Sequence, residues 1–177
     1  MSLSVFDFLN FGAKNMKLAY FGGGCFWGVE TCFREVRGVR DVTVGYMGGC
    51  VPNPTYGEVC SDRTGHAEVV RIKFDPAVIS YEQLLDVFWD CHDPTTFNCQ
   101  GQDVGTQYRS IIFCCDAEQE QIAKRKKQAI DQSGKFQKKI ETHIMPICNF
   151  YPAEEYHQRY FEKNPDKQAC HFRSPKT

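Results

Sequence analysis

Apolar residues along this chain fall at two spacings, and the switches between them mark out a series of short elements. Leu18-Ala19-Tyr20-Phe21 is an unbroken apolar run of strand length, and Phe26, Val29, Phe33 and Val36 then recur at helical spacing. Arg40 to Tyr46 alternates as a strand. A Gly/Pro/Asn-rich loop follows from Met47 to about Gly65, and His66 to Phe74 is a second strand, ended by Asp75-Pro76. Ser80-Tyr81-Glu82-Gln83 fits a capping box, after which Tyr81, Leu84, Leu85, Phe88 and Trp89 form one apolar helix face. His92 to Gln107 reads as a long polar loop, Tyr108 to Cys115 as a strand, and Asp116 as the cap of a helix running to about Gln132. Ile140 to Ile147 offers a further strand, and Pro152 suits the first position of a helix reaching about Phe161. The order β-α-β, β-α-β predicts an α+β fold: a ferredoxin-like (split βαβ) core with additional helices and a long loop-rich C-terminal tail. No internal repeat or linker interrupts it.

Chemistry enters at the first strand-to-helix junction, Gly22-Gly23-Gly24-Cys25-Phe26-Trp27-Gly28. A helix beginning there places Cys25 at its N-terminus, where unpaired N–H groups and the helix dipole favour thiolate over thiol. The glycines suit a backbone that leaves room for a substrate. The other reading is a strand-to-helix turn whose cysteine is only core. A second signal is an acid among apolar neighbours. On alternation, His66, Glu68, Val70, Ile72 and Phe74 form the core face of their strand, with Ala67, Val69, Arg71 and Lys73 opposite. Desolvation there would raise the Glu68 pKa and make it a proton donor near neutrality. A strand-end glutamate that reaches water is the alternative on pattern alone. Perturbed groups of complementary type gather at sites, so the thiol and the acid strengthen each other.

Composition changes this picture little. At 177 residues the chain suits one catalytic domain, residues 17–177, after an N-terminal extension of residues 1–16. A net charge of −1 points to neither nucleic acid nor a membrane surface, and no apolar stretch reaches the length of a membrane span. Lys124-Arg125-Lys126-Lys127 lies within a helix, with Glu120 four residues before Lys124, as on a solvated face. There are ten cysteines but no C-x-x-C pair and no signal-peptide pattern. Free thiols in a reduced, cytoplasmic compartment are therefore expected, with no metal, although organelle import stays open. A monomer is expected.

Four segments together carry a resemblance: Gly-Gly-Gly-Cys25-Phe26-Trp27-Gly-Val-Glu, Gly65-His66-Ala67-Glu68-Val69, Gly101 to Arg109 (GQDVGTQYR), and Tyr151 to Gln158 (YPAEEYHQ). In this order they resemble the peptide methionine sulfoxide reductase A family, over about Lys17 to Pro165. The resemblance implies an α+β fold and reduction of the S epimer of methionine sulfoxide, free or within proteins. It makes Cys25 the nucleophile, Glu68 the proton donor, Phe26 and Trp27 the pocket for the S-methyl group, and Tyr56, Asp103 and Tyr108 the polar residues around the sulfoxide oxygen. The attack leaves a Cys25 sulfenic acid, which a second thiol must clear. Cys32 is out of reach along an intact helix: seven residues rise roughly 10 Å, whereas a disulfide needs Cα atoms within about 7 Å. The resemblance puts the resolving cysteine in a tail after Asn-Pro, which matches Cys170 in the tail of about residues 164–177, with thioredoxin as reductant. This chain departs from many members, with Gln168-Ala169 before that cysteine and no later thiol. Cys50 and Cys60 are the rival resolvers. A non-catalytic redox sensor is the alternative function, but it needs neither Glu68 nor the aromatic pair. A cysteine hydrolase with His66 as base is weaker, since no ordered His–Asn pattern accompanies it.

Overall fold

The computed structural model describes residues 16–167. Both termini, with Cys170, the extension and most of the tail, lie outside them. Among the described residues, eight strands and five α-helices follow one another as β1 (Lys17–Gly22), α1 (Phe26–Arg34), β2 (Val39–Met47), α2 (Tyr56–Cys60), β3 (Ala67–Phe74), α3 (Tyr81–Asp90), β4 (Cys99–Gln100), β5 (Asp103–Val104), β6 (Ile111–Cys114), α4 (Ala117–Gln132), β7 (His143–Pro146), β8 (Phe150–Pro152) and α5 (Tyr160–Lys163). Six strands form one mixed sheet in the order β7-β6-β1-β3-β2-β8, and β4 and β5 pair separately. β3 runs antiparallel between β1 and β2, so the unit β1-α1-β2 is split by a third strand. β6 is antiparallel to β1 and parallel to β7. The fold is α+β, with six strands in the main sheet rather than four. No helix of the described residues is long and apolar enough to cross a membrane.

Local signals explain most of these elements. Ser80 accepts from the Gln83 N–H while the Gln83 side chain caps the Ser80 N–H, so α3 starts where its capping box predicts. Its face of Tyr81, Leu84, Leu85, Phe88 and Trp89 is buried in the main core, with Tyr81 and Phe88 against Phe21. Asp116 caps α4 by accepting from Gln119 N at 2.8 Å. The basic run on α4 is engaged on the surface: Lys124 pairs with Glu120, Lys126 with Asp86 and Arg125 with Glu82.

Three expectations are corrected. The loop from Met47 to Gly65 contains the short α2, set by a Thr55–Glu58 capping box that the run of Gly and Pro obscures. Pro152 opens no helix. It closes β8, opposite Gly45 on the sheet edge, where a missing N–H costs nothing, and Arg159, in the left-handed region at φ 54°, delays α5 to Tyr160. On β3, Ala67 and Val69 do not face water. They join Tyr20, Met47, Ile111 and Phe113 in a second core on the far side of the sheet, so both faces of this half of the strand are covered.

Candidate active site

The N-terminus of α1 organises the site. Cys25 is its N-cap residue, and Phe26 contributes the first helical N–H. That N–H would lack an intrahelical partner, and it donates instead to Glu68 Oε2 at 2.9 Å. Glu68 comes from β3 and is 2% exposed, among the residues of the main core. The acid is therefore held at the end of the helix that carries the thiol. Burial pushes its carboxyl up to about 8, against the opposing pull of the Phe26 N–H, and the Asp103 charge adds to the rise. At neutral pH Glu68 is mostly a neutral acid that can give a proton.

The Cys25 thiol is also pushed up, first by burial and then by the Glu68 charge. The backbone N–H groups of Trp27 and Gly28 pull the other way, as a helix N-terminus should, but they are outweighed. The expectation that the helix end favours thiolate is thus right in sign, but burial outweighs it. The preceding glycines need a second correction. They serve close packing of the protein against itself. A Cβ on Gly22 would sit 2.7 Å from the Glu68 carbonyl oxygen, and one on Gly23 would sit 2.9 Å from the His92 ring. Gly24 sits at φ 90°, and a Cβ there would lie 2.6 Å from the Gln100 side chain.

Aromatic rings wall the site. Phe26 lies 5.8 Å from Tyr46 and 5.1 Å from His157, centroid to centroid. Trp27 stacks on Tyr160 at 3.6 Å and 4°, and its indole N–H donates to His157 Nδ1 at 3.0 Å. That bond leaves the His157 proton on Nε2, which is buried without a hydrogen-bond acceptor. Tyr56 packs 4.5 Å from the same imidazole. Burial raises both the Tyr56 and the Tyr108 hydroxyl well above the usual phenol range; Cys60 and then the Glu68 charge add to the rise at Tyr56, and the Glu68 and Asp103 charges add to it at Tyr108. The Tyr108 carbonyl accepts from Gly24 N at 3.2 Å, tying its segment to the Cys25 turn. Cys25, Phe26, Trp27, Glu68, Tyr56, Tyr108 and Asp103 thus converge on one region, although they are spread over four stretches of sequence. Cys170 lies outside the described residues.

Sequence reasoning missed Tyr46, Glu154, His157 and Tyr160. Glu154 accepts from the Tyr46 hydroxyl at 2.8 Å and from Tyr56 N at 2.9 Å, which fixes two walls of the site. Glu30, 1% exposed, accepts from Arg159 N at 2.9 Å and anchors the segment that bears His157 and Tyr160. Tyr46 was legible only as a core position of β2, and the YPAEEYHQ segment as a motif without assigned roles. His66 is no base for Cys25: its Nδ1 accepts from Gly49 N and its Nε2 donates to the Val51 carbonyl, inside the preceding loop. Cys60 is exposed and lies beside the Tyr56 hydroxyl, whereas the Cys50 thiol donates to the Thr64 carbonyl. Among the described residues, no group of three or more His, Cys, Asp or Glu is placed to hold a metal ion.

A thiol and a neutral carboxylic acid sharing one helix end, walled by aromatics and phenols, define a thiol-dependent oxidoreductase site. Comparison narrows the class. The family model for peptide methionine sulfoxide reductase matches residues 17–177, and the chain belongs to that family. It is 59% identical to the peptide methionine sulfoxide reductase MsrA of Methanoculleus marisnigri over 88% of this chain and 95% of the relative. It is 51% identical to the MsrA of Acinetobacter baumannii, over 90% and 91%. Among solved structures, reduced Mxr1 of Saccharomyces cerevisiae matches with a TM-score of 0.83 at 40% identity, over 90% of this chain and 93% of that one. Mxr1 in complex with Trx2 matches at 0.60 and 30%, over 89% and 87%.

Proposed function

We propose that this protein reduces the S epimer of methionine sulfoxide, free and in proteins, with Cys25 as nucleophile and Glu68 as proton donor. The observation that carries the reading is the Phe26 N–H bond to Glu68, which sets a neutral acid beside the thiol at the start of α1. A sulfoxide sulfur resists attack because its oxygen leaves poorly. Glu68 gives that oxygen a proton while the Tyr56 and Tyr108 hydroxyls, with Asp103 nearby, steady it. Cys25 Sγ then bonds to the substrate sulfur. The proton lost by Cys25 replaces the one Glu68 gave, so the carboxyl ends the step as it began. The substrate S–O bond and the new Sγ–S bond then break together as the hydroxyl passes to the Cys25 sulfur, so methionine leaves and Cys25 is a sulfenic acid. Phe26 and Trp27 hold the S-methyl, a sulfur–aromatic contact worth about 0.3–1.5 kcal/mol.

Cys170 then attacks the sulfenic sulfur, forming a disulfide and releasing water, and a thioredoxin dithiol reduces that disulfide. The family relationship and the Mxr1–Trx2 likeness support this reductant. The chemistry needs no metal or other cofactor, and its free thiols suit the cytoplasm. We take residues 17–177 as one catalytic domain, acting as a monomer. Reduction of S- and R-sulfoxides with dithiothreitol tests the reading. Wild type is expected to consume only the S epimer and Cys25→Ser neither. Undiminished turnover by Cys25→Ser would end it.

A further inference from the structure

His157 has no role in the chemistry set out above, yet the Phe26, Trp27, Tyr56 and Tyr156 rings all pack on its imidazole. The chain is pinned on both sides of it. The His157 backbone N–H donates to the Glu154 carbonyl at 2.9 Å, and the Glu154 carboxylate is held by Tyr46 and Tyr56. Gln158 pairs with β2 much as a strand residue would. Its side-chain oxygen accepts from Val44 N and its amide donates to the Val44 and Ala153 carbonyls, each at 2.9 Å. Arg159, in the left-handed region, then turns the chain so that Tyr160 returns to the Trp27 indole.

Trp27 is thereby held in two different ways. The Tyr160 ring lies parallel to it at 3.6 Å and fixes the plane of the indole. A parallel stack leaves the indole free to turn within that plane. The N–H bond to His157 Nδ1 at 3.0 Å is directional and removes that freedom. It also dictates the state of the imidazole: Nδ1 must be bare, so the proton sits on Nε2. Burial favours this neutral ring and outweighs the Glu154 carboxylate, 3.9 Å from Nε2. Nε2 is left without a hydrogen-bond partner, and a buried unpaired donor is costly. The arrangement satisfies Trp27 at the expense of the histidine's other nitrogen.

We infer that His157 is a positioning residue for substrate selection: its bare Nδ1 fixes the rotation of Trp27, the ring that walls the alkyl group on the sulfoxide sulfur, and so favours methyl over larger groups. The substrate side of this inference rests on the proposed function, whereas the hydrogen bond does not. One methylene that misfits an apolar pocket is worth roughly 10–200-fold in selectivity, provided that the walls stay in place. Trp27 is only half-buried, so packing alone does not immobilise it. The stack and the hydrogen bond together do.

Nitrogen NMR of the full-length wild type at neutral pH tests the bond without any substrate. His157 is expected to be neutral with its proton on Nε2. Of the chain's two tryptophans, Trp27 is expected to give the hydrogen-bonded indole signal, since the Trp89 indole N–H has no partner. Selection is read from kcat and KM for the S-sulfoxides of methionine and ethionine with dithiothreitol. His157→Asn sets an amide oxygen close to where Nδ1 stands, and is expected to keep the Trp27 signal, the KM and the methyl preference. His157→Phe fills the space without an acceptor. It is expected to raise KM for methionine sulfoxide roughly 3–10-fold with kcat changed less, and to shrink the methyl preference by about the same factor. A protonated Nδ1 in wild type, an unchanged methyl preference in His157→Phe, or a folded His157→Asn protein as impaired as His157→Phe would overturn the inference. Wild type that leaves methionine sulfoxide unreduced would overturn the proposed function instead, with the hold on Trp27 still decided by the NMR spectrum.

Discussion

Glu68 carries two duties through one carboxyl: it accepts the first helical N–H of α1 and it supplies the reaction's proton. Glu68→Gln keeps the hydrogen-bond acceptor and loses the acid. Its kcat is expected to fall by about 10²–10⁴-fold with the fold intact, a change read by steady-state reduction of the S-sulfoxide with dithiothreitol. In wild type, turnover is expected to decline above pH about 8 as the Glu68 proton is lost, and this limb is absent in Glu68→Gln. Tyr56→Phe and Tyr108→Phe each remove a donor to the oxygen and should lower kcat roughly 10²-fold, more than KM changes. At this scale the sequence was informative, because a glutamate among Val70, Ile72 and Phe74 has few reasons to be there. The protonation of Cys25 was not legible: it depends on burial and on the Glu68 charge, which reaches it from another strand.

Elements were legible where their signals were local. The capping box at Ser80 and the cap at Asp116 mark helix starts by chemistry within four residues, and both hold. The segment after Tyr151 was not, since Pro152 suits a helix start or a sheet edge equally well. What decides is its pairing with Gly45, more than a hundred residues earlier. The same distance hid Glu154, which joins Tyr46 of β2 to the backbone of α2. The glycine turn shows a subtler miss, since its glycines answer to protein contacts. Gly22→Ala forces a methyl against the Glu68 carbonyl at 2.7 Å. It is expected to separate β1 from β3, lowering Tm by several degrees and activity with it, whereas Gly57→Ala, with no atom within 4 Å, should leave both unchanged. Thermal melts and turnover of the two variants compare them directly.

For the whole molecule, the buried acid ties stability to pH. The Glu68 carboxyl is raised from 4.5 to about 8 on folding, so the folded protein binds a proton that the unfolded chain has lost between those values. Its contribution is fully present below pH 4.5 and is lost as pH rises through 8, on the order of a few kcal/mol in all. The Tm of wild type relative to Glu68→Gln is therefore expected to fall between pH 5 and pH 8. A difference that stays level or grows would mean that Glu68 is ionised in the fold. The completed cycle also reaches beyond the described residues to Cys170: Cys170→Ser is expected to release one methionine per enzyme and then stall with thioredoxin. Continued thioredoxin-dependent turnover would assign the resolving role to another thiol, with Cys60, beside Tyr56, placed for it.

Trapping the sulfenic acid tests the central claim most directly. Full-length Cys170→Ser protein is given one equivalent of methionine S-sulfoxide in the presence of dimedone, and the adducts are mapped by mass spectrometry. One adduct on Cys25 is expected, matched by one methionine released, with neither product from the R-sulfoxide. Methionine released while Cys25 stays unlabelled, or a stoichiometric adduct on a different cysteine, would contradict the account.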